Sequence, residues 1–325
     1  MRDGRMTIIG SSPGMQALRD LLQRVAPTDA SVLVTGESGV GKELVARGLH
    51  EQSRRAAGPF VAINCSAIPE GLIEAELFGH EKGSFTGALR THPGVFERGS
   101  GGTLFLDEIS EMPARMQSRL LRVLQTRRYT RVGGAAERPT DVRIVAATNR
   151  DVTEAVADGL LRQDLLYRLA VFPIHVPPLR ARGADVVELA LAFLAELNAA
   201  AGTRKCFAGD IDVFLRSHDW PGNVRELRNC IERAYILADQ QLVLEPGLLL
   251  HPARDTGEPA GCLPVRVGTR LDEAERQLIM ATLIESSGNK RRAAALLGCS
   301  IKTLYNKLQH YRATGAGSSL QAMAD

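Results

Sequence analysis

"SVLVTGESGVGKELVARGLH", residues 31–50, decides the fold. It opens on an apolar, β-branched run (31–35), passes through a glycine-rich turn and ends on a helical pattern. Strand, turn and helix in that order, with G-x-x-x-x-G-K from Gly36 to Lys42, describe a phosphate-binding loop. Backbone N–H groups of the turn and of the helix start cradle phosphates, and Lys42 is placed to reach the β and γ oxygens. The candidate nucleotide set is therefore Gly36, Glu37, Ser38, Gly39, Val40, Gly41, Lys42, Glu43 and Leu44. Glu43 stands where a Ser or Thr hydroxyl usually meets Mg²⁺, so that ligand is missing.

Similar apolar runs recur at 60–63, 102–106, 142–147 and 172–176. Helical patterns lie between them, such as 112–126 with Met116, Leu120, Val123 and Leu124 on one side. Strands alternating with helices predict a parallel α/β sheet. The runs at 31 and 142 are apolar on both faces, as strands covered by helices should be. "GGTLFLDE" (101–108) is a buried strand ending in two acids, Asp107 and Glu108. It delivers both carboxylates to the sheet edge where the phosphate loop lies. One acid can hold Mg²⁺ through water while the other polarises an attacking water.

After "PPLRARG" the pattern becomes all-helical. Val186, Ala190, Phe193 and Leu197 form one stripe; Leu227, Ile231 and Ala234 form another, opened by Asn223 and Glu226 in the manner of a capping box. Residues 251–268 are rich in Gly and Pro without periodicity and read as a linker. The expected divisions are 1–179 (α/β), 180–250 (small helical lid), 251–268 (linker), 269–312 (a third, all-α unit) and 313–325 (a disordered tail).

Length and composition suit a soluble chain of several domains: 325 residues, 44% hydrophobic and 24% charged. The start lacks the apolar core of a signal peptide, and 189–201, the longest apolar stretch, is too short to span a bilayer and carries Glu196. No membrane anchor is expected. Cys65, Cys206, Cys230, Cys262 and Cys299 never form a CxxC pair, which excludes a zinc ribbon or disulfide framework and fits a reducing cytoplasm.

Net charge is +3, but residues 288–312 hold six Lys or Arg and no acid, leaving −3 for the remainder. In that segment Asn289 is placed to cap a helix containing Ala293, Ala294 and Leu297, which Gly298 ends. Ser300 caps a second helix with Ile301, Leu304 and Leu308 on one side and Lys302, Thr303, Asn306, Lys307 and His310 largely on the other. Helix, tight turn and polar-faced helix make a helix-turn-helix for double-stranded DNA, with a plain helical hairpin as the alternative. Lys290, Arg291 and Arg292 are placed for phosphates, Lys302 and Asn306 for bases.

"GESGVGKE", "ELFGHEKGSFTGA", "GGTLFLDE" and "WPGNVREL", in that order, resemble the AAA+ domain of sigma-54-dependent transcriptional activators, the bacterial enhancer-binding proteins. The likeness covers residues 8 to about 250, and the C-terminal unit resembles the Fis-type domain that ends many of them. Residues 271–285 would be its preceding, dimer-forming helix. The resemblance implies an AAA+ P-loop ATPase that binds ATP and Mg²⁺ and assembles from dimer to hexameric ring. It also implies that the ring remodels the sigma-54 RNA polymerase closed complex from upstream DNA. Glu43 is the family's own variant after the lysine.

Residue by residue, Asp107 corresponds to the magnesium-site acid, Glu108 to the catalytic base and Asn64 to the residue that restrains it. Thr148 and Asn149 match sensor I, though on residues alone they could simply cap the next helix. Arg162 and Arg168 fall in the arginine-finger region, Arg225 corresponds to sensor II, and Ile8, Ile9 and Gly10 lie in the adenine-binding segment. Gly83, Ser84, Phe85, Thr86, Gly87 and Ala88 match the sigma-54 contact loop, with Ser84 in place of the family's alanine; a second loop near 131–139 lies beside it. On local sequence alone, Phe85 either packs back onto the protein or meets a partner.

Two further readings compete: a nucleotide-sensing DNA-binding regulator or repressor that does not act through sigma-54, and an AAA+ remodeller of unrelated substrates. Glu108, the finger arginines and the 83–88 loop favour the ATP-driven activator. The module begins within about ten residues of Met1, where relatives often carry a receiver or sensory domain. The expectation is control in trans by a regulatory protein or by expression, with no phosphorylation switch in this chain; truncation of a longer protein is the alternative.

Overall fold

The computed structural model describes residues 8–85, 88–248, 270–286 and 290–313; the linker, the tail, Thr86, Gly87, Asn289 and Cys262 lie outside the described residues. The chain divides into two compact units, 1–253 and 254–325.

In the first unit, five parallel strands form one sheet in the order β2-β3-β6-β1-β7. They are β1 (Val32–Thr35), β2 (Phe60–Asn64), β3 (Thr103–Asp107), β6 (Arg143–Thr148) and β7 (Phe172–His175). Each of the five runs read from the sequence supplies one strand. Side chains alternate between two cores, as a period of two demands. Leu33, Leu104, Leu106, Ile144 and Ala146 face the layer containing α3 (Glu70–Phe78), α5 (Ala114–Thr126) and α7 (Gln163–Leu169). Val32, Val34, Phe105, Val145, Ala147 and Ile174 face α1 (Pro13–Val25) and α2 (Lys42–Glu51). Two covered faces explain why these strands are apolar throughout.

Arg143, at the start of β6, is only 1% exposed. Its guanidinium donates to the carbonyls of Val25 (3.0 Å), Ala26 (2.6 Å) and Ala30 (3.3 Å), closing the C-terminal end of α1 onto the sheet. A cation there answers both the orphan carbonyls and the negative end of the helix.

A hairpin not foreseen as strands, β4 (Arg128–Thr130) with antiparallel β5 (Glu137–Pro139), projects after α5. α4 (Val95–Arg98) follows the 79–94 excursion that carries the contact loop, and α6 (Val152–Ala157) follows β6. The lid is built from α8 (Asp185–Ala201), α9 (Asp212–Ser217) and α10 (Asn223–Leu237), with a two-residue parallel pair, β8 (Cys206–Phe207) and β9 (Gln241–Leu242). Val186, Ala190, Phe193, Leu227, Ile231 and Ala234 share its core with Trp220, whose indole N–H donates to the Leu215 carbonyl at 2.8 Å. Leu197, read on the same stripe, packs against that core partly buried.

The capping box at "NVRE" is corrected. Gly222 is the N-cap of α10, and Asn223 is the first helical residue, in the left-handed region at φ 52°. Glu226 does reach back, accepting from the Gly222 N–H at 2.8 Å, but the Asn223 side chain leaves the helix altogether.

The second unit packs α11 (Leu271–Glu285), α12 (Lys290–Leu296) and α13 (Ile301–Ala313) around Ile279, Leu283, Ala293, Ala294, Leu304 and Leu308. Gly298 sits at φ 64° after α12, and the Ser300 hydroxyl accepts from the Thr303 N–H at 3.1 Å, the N-cap that its position required. Ile301, expected on the buried side, is 39% exposed, because the first residue of α13 precedes the turn that meets α11 and α12.

Replacing Arg143 by Ala strands the Ala26 and Ala30 carbonyls, while Val25 keeps its bonds from Thr28, and empties a buried site, at an expected cost of about 2–4 kcal/mol. The urea-unfolding midpoint of the variant should fall accordingly; an unchanged midpoint would show that water satisfies those carbonyls as well as the guanidinium does.

Candidate functional site

β1, β3 and β6 end at the same edge of the sheet: Thr35 pairs with Thr148, and Leu106 with Ala146. The loop after β1 therefore faces the two acids after β3. Gly41, at φ 102°, turns the chain into α2, and Lys42 heads that helix, buried. Its ammonium folds back on the loop, donating to the carbonyls of Gly36 (2.9 Å) and Glu37 (3.3 Å) and lying 3.7 Å from Glu108 Oε1. Burial lowers the Lys42 pKa, opposed by the charges of Glu108 and Asp107. Burial likewise raises that of Asp107, opposed first by the Lys42 cation. Both shifts mark a partly dry pocket in which a charge needs a counter-charge.

Glu108 holds φ 50°, in the left-handed region that a residue with a Cβ rarely adopts. Such strain marks a backbone held by its surroundings. Its N–H bonds the Asp107 carboxylate (3.1 Å), and its other carboxylate oxygen accepts from the Asn149 N–H (3.2 Å). Lys42, Asp107, Glu108 and Asn149 thus meet in one place. The Thr148 hydroxyl bonds Ser110 Oγ at 2.9 Å, under that same turn. Helix capping does not account for Thr148 and Asn149, because Asp151 caps α6 by accepting from Thr153 and Glu154.

Other expected members sit differently. Asn64, expected to restrain Glu108, instead accepts at its own Oδ1 from the backbone and hydroxyl of Ser66 (2.9 and 2.7 Å). Glu43 faces solvent and pairs with Arg47 one helical turn on, well suited to a surface role and not to a metal. Arg162, at the start of α7, pairs with Asp164, and Arg168 donates to the Leu124 carbonyl at 3.0 Å; neither is bonded to this site's groups. Cys65, beside Asp107, is buried and its thiol pKa is pushed up to about 12, which makes it inert.

The lid closes directly on the loop. Arg225, the sensor II candidate, donates to Ser38 Oγ (3.1 Å) through its guanidinium and to the Gly39 carbonyl (3.3 Å) through its N–H. Ile8 packs partly buried against the core shared with α1 and α2, while Ile9 packs against the lid core, so this segment crosses between the two. Gly10 (φ 135°) leaves no room for a Cβ, which would meet the Asp185 carboxylate. That carboxylate also receives the N–H groups of Ser11 and Ser12, both at 2.8 Å. Asp185 escaped the sequence reading because an acid in the first turn of a helix is ordinary; only the tertiary placement shows what it holds.

The sequence signature described as "Sigma-54 interaction domain" matches residues 8–175, that of an AAA+ ATPase lid domain matches 180–256, and that of "Bacterial regulatory protein, Fis family" matches 270–311. The chain belongs to the sigma-54-dependent transcriptional activators. It is 45% identical over 327 residues to the transcriptional regulatory protein FlbD of Caulobacter vibrioides, covering 96% of this chain and 72% of that protein. It is 46% identical over 306 residues to the nitrogen fixation protein AnfA of Azotobacter vinelandii, covering 94% of this chain but only 57% of AnfA. The crystal structure of NtrX from Brucella abortus superposes with a TM-score of 0.71 at 37% identity, over 93% of this chain and 68% of NtrX. A second crystal structure of NtrX from Brucella abortus, in complex with ATP, gives 0.70 at 36% over 94% of this chain and 69% of NtrX.

In this chain the 83–88 segment, expected from resemblance to be the contact loop, lies between α3 and α4. Phe85 is 38% exposed, with its ring edge-on to His80 at 4.9 Å between centroids. Gly83 (φ 80°) turns the chain, its N–H bonding the Ala88 carbonyl at 2.8 Å; Ala88 is buried, while Leu89 is 81% exposed. The hairpin turn lies alongside, since a Cβ on Gly133 would strike Ser84, and the Glu81 N–H bonds the Val132 carbonyl at 3.0 Å. Arg131 forks between Glu81 (3.1 Å) and Glu97 (2.8 Å), tying hairpin, loop base and α4 together. Thr86 and Gly87, the remaining members of the loop, lie outside the described residues.

On the helix-turn-helix, Lys302, Thr303 and Asn306 are exposed on α13. Lys307 pairs with Glu275 of α11 at 2.6 Å, both side chains remaining partly exposed. Lys290, Arg291 and Arg292 fall on α12, and the side chains of the two arginines lie outside the described ones.

A methyl group on Gly39 would run into the Gly222 carbonyl and approach Arg225 Cβ. Gly39→Ala should therefore push the lid off the loop, and limited proteolysis should cut faster between the α/β part and α8. Unaltered cleavage would mean that the two parts do not close on each other in solution.

Proposed function

We propose that this chain is the ATP-hydrolysing engine of a sigma-54-dependent activator. The single observation that carries this is the convergence of Lys42, Asp107, Glu108 and the Asn149 N–H on one sheet edge. Phosphates of ATP would take over the Lys42 ammonium from the Gly36 and Glu37 carbonyls and from Glu108, leaving Glu108 free to orient and deprotonate water.

Among the described residues no three His, Cys, Asp or Glu gather into a metal cage. The fit is to a Mg²⁺ held mainly by phosphates and water with Asp107 as its protein partner, which suits a small, hard ion that keeps its waters. Such an ion would neutralise phosphate charge. Asn149, bonded to Glu108 through its backbone N–H, would report the phosphate state to the base.

Arg162 and Arg168 are occupied within their own subunit. The reading that suits them is a finger offered to a neighbour's nucleotide, which makes the active unit a ring. Phe85, half-exposed on a loop braced by the hairpin, would then touch sigma-54 as that ring remodels the polymerase closed complex. The exposed face of α13 would hold upstream DNA, with Lys302 and Asn306 as its base-reading candidates.

Purified protein, ATP, sigma-54 polymerase and a promoter with its upstream site should together yield open complexes. Glu108→Gln should retain nucleotide and lose hydrolysis by about 10²-fold or more, the usual scale for removing a general base. Hydrolysis without open complexes would overturn the sigma-54 step, and undiminished turnover in the variant would overturn the assignment of the base.

Phe85→Ala should keep its thermal midpoint and its ATP hydrolysis while losing co-migration with sigma-54 in the presence of a transition-state mimic. A large drop in the midpoint would show the ring to be a packing element against His80.

A further inference from the structure

The nucleotide loop carries an acid of its own. Glu37 lies within the segment that must approach a triphosphate, and an uncompensated carboxylate there opposes binding. In the structure its hydrogen bonds come from the lid. Arg180 embraces it with both terminal nitrogens, Nη1 donating to Oε2 at 2.8 Å. Asn223 Nδ2 donates to the same Oε2 at 3.0 Å.

Asn223 is fully buried, and each of its amide atoms is used. Its Oδ1 accepts from the Leu179 N–H (2.8 Å), and its Nδ2 also donates to the Ser38 carbonyl (3.0 Å). Its left-handed backbone turns the side chain out of α10 towards the loop. Arg182, also buried, adds a donor to the Val40 carbonyl at 3.0 Å. The outer side of the loop, carbonyls and carboxylate alike, is thus bound to residues 180–182 and 223–225, leaving its N–H groups for phosphate.

We propose that Arg180 and Asn223 are positioning residues that act through Glu37: the closed lid neutralises this carboxylate, so lid closure and nucleotide binding favour each other. The proposal rests on the nucleotide reading above and adds a second link between lid and loop, separate from Arg225. With the lid open, Glu37 keeps its charge beside the phosphates and nucleotide is held less tightly. By reciprocity, bound nucleotide raises the value of the Arg180–Glu37 pair and pulls the lid shut. The hydrogen bonds from Arg180, then that from Asn223, hold the Glu37 pKa down to about 2, so its carboxylate stays charged throughout the neutral range.

The test is a double-mutant cycle on the whole chain, read as the dissociation constant of a fluorescent ADP analogue. Arg180 is an exposed side chain whose loss leaves the fold intact. Because the pair is half-solvated, its effect sits near the low end of allosteric couplings, and Arg180→Ala should weaken binding about fivefold. In the Glu37→Gln background the same change should have almost no effect. The fivefold loss should shrink as salt is raised, since it comes from an uncompensated charge. Asn223→Asp, which turns a donor into a second carboxylate facing both Glu37 and the Ser38 carbonyl, should weaken binding further, and Glu37→Gln should recover only the part due to the paired carboxylates. Equal losses in both backgrounds, or a loss indifferent to salt, would make Arg180 a packing residue and overturn the proposal. Failure of the unaltered protein to bind the analogue would instead refute the nucleotide reading, and this inference with it.

Discussion

β1 lies between β6 and β7, and its last residue, Thr35, is level with Thr148 on one side and His175 on the other. Because all five strands run the same way, every loop that leaves a strand's C-terminal end leaves at one edge. That register places the 36–41 turn opposite Asp107 and Glu108, which end the next strand but one. It also brings 148–149 between them and 176–182 alongside, where the chain passes into the lid. A one-residue slip of β3 would turn Leu104 and Leu106 away from their core and carry both acids off the loop. The apolar alternation that buries the sheet is therefore the same constraint that assembles the site.

Within the site, burial and charge oppose each other. Lys42 and Asp107 are both partly dry, and each is shifted toward its neutral form by burial and held back by the other's charge. The ammonium answers by bonding two loop carbonyls and approaching Glu108. Those are substitutes that a polyanion would outbid, because phosphate oxygens carry more charge than carbonyls. Glu108 is kept in a strained backbone by bonds on either side, from its own N–H to Asp107 and from Asn149 to its carboxylate. The geometry holds Glu108 from two sides, beside the Lys42 ammonium.

The five strands, the helix at 114–126, the two lid stripes and the Ser300 cap were legible because each is written in local periodicity or in a single capping residue. What was not legible depends on groups far apart in the chain. Asn223 looked like an N-cap because Asn before a helix usually is one; its partners, Glu37 and Ser38, are more than 180 residues away. Lys307 read as one more cation of a basic face, and its ion pair went unseen because Glu275 lies outside the acid-free segment. The buried Arg143 lies inside a run read as apolar on both faces, and only the end of α1 explains it. The β4–β5 hairpin was hidden by strands of three residues, too short for alternation to show. Roles for Asn64, the finger arginines and the contact loop came from resemblance alone, since no local physical rule singles those residues out.

The same chain that ends at Glu108 continues without a flexible break to the contact loop's neighbour. From β3 it passes through the 109–111 turn, whose Ser110 bonds Thr148, into α5. α5 spans about 20 Å at 1.5 Å per residue and delivers the hairpin. Along the way Arg119 ties α5 to Glu74 of α3 and to the Thr130 carbonyl of β4 (2.6 Å). α3 in turn ends at Gly79, whose carbonyl accepts from Val132 of the hairpin (2.9 Å), one residue before the loop begins with His80. Turn, α5, α3 and hairpin are thus cross-linked, with Glu108 before the turn and Phe85 on the loop after α3. Packed interiors shift as units and do not deform smoothly. Packed side chains and hydrogen bonds therefore run without interruption from the Glu108 turn to the loop that bears the exposed ring of Phe85.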